Sequence, residues 1–355
     1  MKQKWKLIIA LSLPVQILLV YIAGQNEIWI EQHYSMGLFS YIADALSFFY
    51  SAIPFSLGDV IYIIVVFMIV KWIISLFFTR RHRLKTKLLN MTVFLSLVYL
   101  IFNLFWGFNY YRLPIHQKLD LSTDYSTKEL RNLSCKLIES INKEHRILAE
   151  SDTVAIKFPT KNDFGPSVQQ AYLSMENHQL ITRIPANKVK SSLFSTALTY
   201  AGFSGYYNPF TNESQINALV PDFRKPTIMA HEKAHQIGYA KENEANFIAC
   251  LTTINSRDRL LRYSGLCYAL QHCLKDLYYK DKISREALIS DLNPGVLKNF
   301  KEISVFWSKY ENPLEPIMKV VYGNFLKANN QPKGMKTYNY VVALLVNYYQ
   351  KESTL

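Results

Sequence analysis

Three long apolar runs stand near the start of the chain. Leu7 to Ala23 (LIIALSLPVQILLVYIA), Val60 to Phe78 (VIYIIVVFMIVKWIISLFF) and Leu88 to Phe105 (LLNMTVFLSLVYLIFNLF) carry one charge among them, Lys71. A helix needs roughly 20 apolar residues to cross a hydrocarbon core. The runs therefore predict transmembrane helices at about 7–23, 60–78 and 88–107. Lys71 stands close enough to the end of its run for the ammonium group to reach the interface. The first run is read as a span, not a cleaved leader, because Gln16 interrupts it and no small-x-small site follows.

Past FWGFNYYRLPI (105–115) the pattern changes to that of a globular domain. Thr127 to about Ile147 places Leu130, Leu133, Leu137, Ile138 and Ile141 on one stripe at helical spacing. From Ser192 to Leu219 the chain reads as strand: first LFSTALTY, then two short strands about a turn marked by Asn208-Pro209 and Thr211-Asn212. Pro226 suits the first turn of a helix, and Gly238 suits its C-terminal cap. A second helix begins near Glu242 and runs through ANFIACLTTI. Others are expected at about 257–278, 284–292, 295–309, 313–328 and 335–351. The fold class is thus α+β: three transmembrane helices (residues 1–112), then a mostly helical domain (113–355) with a small sheet preceding the helix that bears HEKAH.

Loop charges set an orientation. Residues 24–59 hold Glu27, Glu31, Asp44 and Asp59 but no Lys or Arg, whereas TRRHRLKTK (79–87) packs five. The positive-inside rule puts that basic turn and the N-terminus in the cytoplasm. An odd number of spans then makes everything after about Arg112 extracytoplasmic. The aromatic loop GLFSYIADALSFFYSAIPF (37–55) is expected along the outer interface. The formal net charge of +13 divides into +6 over residues 1–112 and +7 spread thinly beyond. No basic stripe interleaved with aromatics appears, which excludes nucleic acid as a partner. The lipid bilayer, with its anionic headgroups, is the partner the excess fits. Four cysteines show no CxxC pair and are read as buried free thiols.

The candidate chemistry is concentrated in HEKAHQIGYAKENEAN (231–246). His231 and His235 fall one helical turn apart on one face. Two imidazoles so placed bind a single Zn2+, and Glu232 beside them is positioned to act on a water as general base. Glu242 is the preferred third ligand. Ala245, three residues on, allows close helix packing, and Asn246, four on, is a polar group for a histidine's outer nitrogen. Glu244 has Phe247 and Ile248 at those places and is the alternative.

HEKAH followed by ENEAN resembles the gluzincin arrangement, with an unusually short spacing. The chain as a whole resembles the bacterial domain of unknown function 3810 family, through FWGFNYYR (105–112), AGFSGYYNPFTNESQIN (201–217), HEKAHQIGYAKENEANFIA (231–249) and GMKTYNYVVALLVNYY (334–349). The resemblance implies three spans followed by a zincin-like domain with a zinc site, in a bacterial inner membrane; it implies no substrate. Asn246 stands where the wider gluzincins carry aspartate. Tyr206, Tyr207 and Tyr338 are oxyanion-stabilising candidates from the resemblance alone. The expected function is a membrane-anchored zinc peptidase acting on a peptide or envelope protein outside the membrane. The alternative is a non-catalytic zincin-fold binding or scaffold protein of the envelope. Glu232 favours the enzyme, since holding zinc does not require it. An intramembrane protease is disfavoured, because HEKAH lies far beyond the last span in sequence. The segment QINAL (215–219) is expected to pair with an extended peptide by edge addition.

Overall fold

In a computed structural model, which describes residues 3–78, 81–159, 163–175, 178–181, 183–185, 188–331 and 339–352, each apolar run forms a helix. These are α1 (Gln3–Gly24), α3 (Leu57–Phe77) and α4 (Arg81–Phe105), with α2 (Phe39–Tyr50) in the loop after α1. All three of the former are long and apolar enough to cross a membrane. α1 and α4 pack along one another. Gln16 Nε2 donates across the pair to Ser96 Oγ at 2.9 Å, and Ser96 Oγ donates to the Ile9 carbonyl at 2.8 Å. Polar bonds of this kind join helices in hydrocarbon, where apolar surface alone gives little drive to associate.

α3 stands apart from that pair and is held at its two ends. Near the basic turn, Lys87 Nζ donates to the Ser75 carbonyl at 2.8 Å. At its N-terminus, Leu57 N and Gly58 N donate to the Glu213 carboxylate at 3.3 and 2.7 Å, and Lys190 Nζ binds the same carboxylate at 2.6 Å. Asp59 accepts from Leu193 N at 2.6 Å, from Ser192 Oγ at 3.1 Å and from the Tyr206 hydroxyl. Anions at a helix N-terminus complement its dipole, so the charges that start α3 also fasten it to the small sheet.

Past residue 120 the described residues form the α-helices α5 (Thr127–Leu148), α6 (Gly165–Leu173), α7 (Ser195–Tyr200), α8 (Lys225–Gln236), α9 (Glu242–Ile254), α10 (Arg259–Lys280), α11 (Lys282–Ser290), α12 (Pro294–Ser308), α13 (Leu314–Ala328) and α14 (Asn339–Lys351). A reciprocal cap starts α5: Glu129 N donates to Ser126 Oγ, and Ser126 N donates to the Glu129 carboxylate. α9 is buried along its whole length, between α8, α10 and α14. Its polar residues gather between Glu242 and Asn246 and at Thr252 and Thr253, and Phe247 to Leu251 is apolar, as a central helix requires. A second, smaller core joins Ile30, Tyr34, Phe39 and Ala43 of the first loop to Trp106, Tyr110 and Ala240. One face of α2 is therefore spent against the domain, while Tyr41, Phe48 and Phe49 point outward.

The sheet has three short strands, β1 (Lys190–Ser191), β2 (Gly205–Asn208) and β3 (Glu213–Ile216), in the order β1-β3-β2. β1 runs parallel to β3, and β2 antiparallel to it through a turn in which Asn212 takes φ +52°. β3 lies on α8, where Ser214 Oγ donates to the Glu232 carbonyl at 2.7 Å.

Three expectations are corrected. LFSTALTY contains the helix α7, not a strand. Ser192 Oγ accepts from Phe194 N at 3.0 Å and Ser195 Oγ donates to the Ser192 carbonyl at 2.7 Å, and such local bonds turn a Ser/Thr-rich segment out of extended structure. QINAL offers no edge, because β3 is paired on both sides; the outer strand beside the site is β2. Cys135 is exposed, whereas Cys250, Cys267 and Cys273 are buried; all four are free.

Candidate metal centre

The helix that carries the two histidines is braced at both ends. Pro226 lies in its first turn, where a missing N–H costs nothing. Past its C-terminus Gly238 takes φ +86°, and a side chain there would run into Phe39 and Asn109. Arg112 donates to the Gly238 carbonyl at 2.8 Å, and the Trp106 indole N–H donates to the His235 carbonyl at 3.3 Å. Arg112 is itself held by Glu31, at 2.9 and 3.0 Å, and Lys118 binds the same carboxylate. Donors are what the open carbonyls of a helix end need.

On this braced helix the His231 and His235 rings stand 4.8 Å apart and nearly perpendicular. Glu242, the first residue of α9, brings its carboxylate to both: Oε2 is 3.3 Å from His231 Nε2 and Oε1 is 3.8 Å from His235 Nε2. Four ligands arranged tetrahedrally at about 2.0–2.2 Å from one Zn2+ lie about 3.4 Å from each other. Those separations suit a shared cation. The outer nitrogen of His235, Nδ1, bonds the Tyr239 carbonyl at 2.7 Å. That bond fixes the tautomer and turns the Nε2 lone pair toward Glu242. His231 Nδ1 and Asn246 Nδ2 have no hydrogen-bond partner among the described residues. The Asn246 Oδ1 accepts from the Tyr268 hydroxyl.

Glu232 is buried beside these three side chains. One of its oxygens and one nitrogen of each histidine lie within 4.8 Å of one another. Its Oε2 has no hydrogen-bond partner. Gly205 on β2 makes room for it: a Cβ there would sit 2.7 Å from Glu232 Oε1 and 2.7 Å from the Gln215 carbonyl. Burial raises the Glu232 carboxyl to about 8, Glu242 pushing the same way and His231 opposing. Burial also acts to raise Glu242, but the hydrogen bond from His231 and the charges of both histidines hold it at about 2. His235 is lowered to about 4 by burial, with His231 adding to the effect. His231 is raised: burial works against its charge, and the hydrogen bond to Glu242 and the nearby carboxylates outweigh it.

Other candidates from the sequence fall elsewhere. Glu244 turns away from the histidines, and its Oε1 accepts from Ile115 N at 3.0 Å. The Tyr207 hydroxyl donates to Asn212 Oδ1 at 2.7 Å, and the Tyr206 hydroxyl is engaged by Asp59. Both hydroxyls are thus engaged away from His231, His235 and Glu242, so neither suits an oxyanion. Tyr338 lies outside the described residues. Among the described residues, Tyr322 on α13 does reach the centre: its hydroxyl donates to Glu242 Oε1. Sequence reasoning missed it, since nothing local distinguishes it among 24 tyrosines.

A cavity of about 1020 Å³ opens from the centre. His231, Glu232, His235 and Glu242 line one end, together with Arg224 and Tyr322. The other end is formed by membrane-length helices.

One protein-family model, described as Protein of unknown function (DUF3810), matches residues 34–346. No curated protein and no solved structure matches the chain.

Proposed function

The chain belongs to the DUF3810 family, and from the geometry of its centre we propose that it is a membrane-anchored, zinc-dependent peptidase of zincin type. The observation that carries this reading is the meeting of His231, His235 and Glu242 nitrogen and oxygen atoms at 3.3 and 3.8 Å, with a buried, half-unpartnered Glu232 alongside. A structural zinc site is closed by four protein ligands, whereas three ligands leave a place for water and substrate.

His231, His235 and Glu242 would hold the ion. Bound zinc supplies Lewis acidity, polarising a carbonyl and making a water easier to deprotonate. Glu232 accepts a proton from the attacking water at Oε2 and returns it to the departing amine. Tyr322 and Tyr239 position Glu242 and His235. The outer strand β2, which lines the same cavity, is where an extended peptide would add. The positive-inside pattern of TRRHRLKTK supports an extracytoplasmic centre.

Glu232→Gln tests the reading. The variant is expected to keep its zinc and its fold while turnover falls by about 10²–10⁴-fold, the usual worth of a general base. Comparing the envelope proteomes of cells carrying each form reads that loss in the native setting. Metal retained with unchanged proteolysis in both would favour the scaffold reading.

A further inference from the structure

The cavity does not end at the metal centre. It continues along the membrane-length helices: Leu95, Tyr99 and Phe102 of α4 line it, as do Leu13 and Ile17 of α1 and Tyr62 of α3. Leu95 lies eleven residues before Trp106, which at about 1.5 Å per helical residue is about 16 Å along α4. Leu13 lies the same distance before the end of α1. The apolar end of the cavity thus reaches roughly half-way through a hydrocarbon core of about 30 Å.

This end is open. Ile17 and Leu95 are each 50% exposed. Among the described residues α3 makes no extensive contact with α1 or α4, and it meets α4 through the Lys87–Ser75 bond near the basic turn. This end stands among helices of membrane length, whereas the end at Glu232 and Glu242 is lined by buried polar groups. Trp106 and His235 join the two ends directly, through the indole bond to the helix carbonyl. A water-soluble peptide would leave some 16 Å of apolar cavity wall unfilled. A polypeptide that carries its own long apolar chain would fill it and bring a bond near the membrane surface to Glu232.

Resting on the peptidase reading above, we propose that the substrates of this centre are polypeptides anchored in the bilayer by an apolar chain, which enter sideways between α3 and the α1–α4 pair. Either a covalent acyl chain or an apolar peptide segment supplies that chemistry, and cleavage releases the polar part from its anchor. The peptide carbon–nitrogen bond breaks as the water oxygen bonds to the carbonyl carbon. One proton from water passes through Glu232 to the new amine.

The test uses zinc-loaded, full-length Glu232→Gln protein in nanodiscs, so that binding is read without turnover. Fluorescent pools of randomised decapeptides are offered in three forms: unmodified, N-terminally palmitoylated, and joined at the C-terminus to an apolar 20-residue segment. The anchored pools are expected to bind at least tenfold more tightly than the same pools to empty nanodiscs. Ile17→Trp combined with Leu95→Trp, which narrows the membrane end, should abolish that gain without changing zinc content. Leu97→Trp, on the exposed face of α4 and outside the cavity, should leave it intact. An advantage that survives the double substitution, or none over empty nanodiscs, overturns the proposal. A gain confined to the palmitoylated or to the peptide-anchored pool identifies which source of the apolar chain is used. If anchored pools bind in the expected way yet wild-type protein cleaves none of them, hydrolysis fails and the occupant stands.

Discussion

The indole N–H of Trp106 donates to the backbone carbonyl of His235 at 3.3 Å. Trp106 is the first residue past α4, so a membrane-length helix ends on a candidate zinc ligand. The two are 129 residues apart in sequence. HEKAH lies far beyond the last apolar run in sequence, and the fold returns the chain to set the His235 carbonyl at the end of α4. The same tryptophan packs against Tyr207 and Tyr110, so the indole is a fixed part of the smaller core. Trp is the residue commonly found where a span meets the interface.

Tyr322→Phe removes only the hydroxyl that donates to Glu242 Oε1. Outer hydrogen bonds of this kind are worth about 10–100-fold in metal affinity. The variant should lose zinc to a chelator at about 10–100-fold lower chelator concentration than wild type, with its thermal unfolding little changed. Equal chelator titrations would remove Tyr322 from the centre.

Gly205→Ala introduces a Cβ 2.7 Å from both the Gln215 carbonyl and Glu232 Oε1. Real Cβ atoms do not approach backbone so closely, and β2 must shift to admit one. Overpacking of this sort typically costs about 1–3 kcal/mol. The expected result is a lower melting temperature together with turnover reduced at least tenfold, while zinc content is preserved. A fully active, fully stable alanine variant would mean that β2 does not crowd Glu232.

Glu31 gives the fold a dependence on acid. Burial acts to raise its carboxyl, but Arg112 and Lys118 outweigh burial and hold it at about 2, against 4.5 for an unperturbed glutamate. The folded form therefore binds a proton later than the unfolded form as pH falls. The stabilisation is complete above about pH 4.5 and is lost as pH drops toward 2. A shift of this size corresponds to about 3 kcal/mol. Glu31→Gln should melt lower at neutral pH and show a flatter stability profile between pH 4.5 and 2. If both proteins lose stability in parallel across that window, the acid response lies in other groups.

Local signals carried much of the fold. Pro226 and Gly238 bracket α8 because each acts within one turn of backbone, and the helices after residue 257 follow from spacing alone. The order E-x-x-A-N preferred Glu242 to Glu244; the structure sets Glu242 beside both histidines and turns Glu244 to Ile115 N, while Asn246 Nδ2 and His231 Nδ1 make no hydrogen bond to each other. What the sequence hid is non-local. Tyr322 meets Glu242 across 80 residues, and the periodicity of α13 does not name the partner of its inner face. Tyr206 and Tyr207 flank Gly205, which does touch Glu232, yet their hydroxyls are claimed by Asp59 and Asn212 from other segments. The segment LFSTALTY is short enough for either period, and hydroxyl bonds around Ser192 decided it.

The most direct measurement is the metal content of purified full-length protein, by mass spectrometry, for wild type and four single variants. The account predicts about one zinc per chain in the wild type, in Glu232→Gln and in Glu244→Ala, and little or none in His235→Ala and Glu242→Ala. Wild-type protein free of zinc after purification in its presence, or zinc lost with Glu244→Ala and kept with Glu242→Ala, would contradict it.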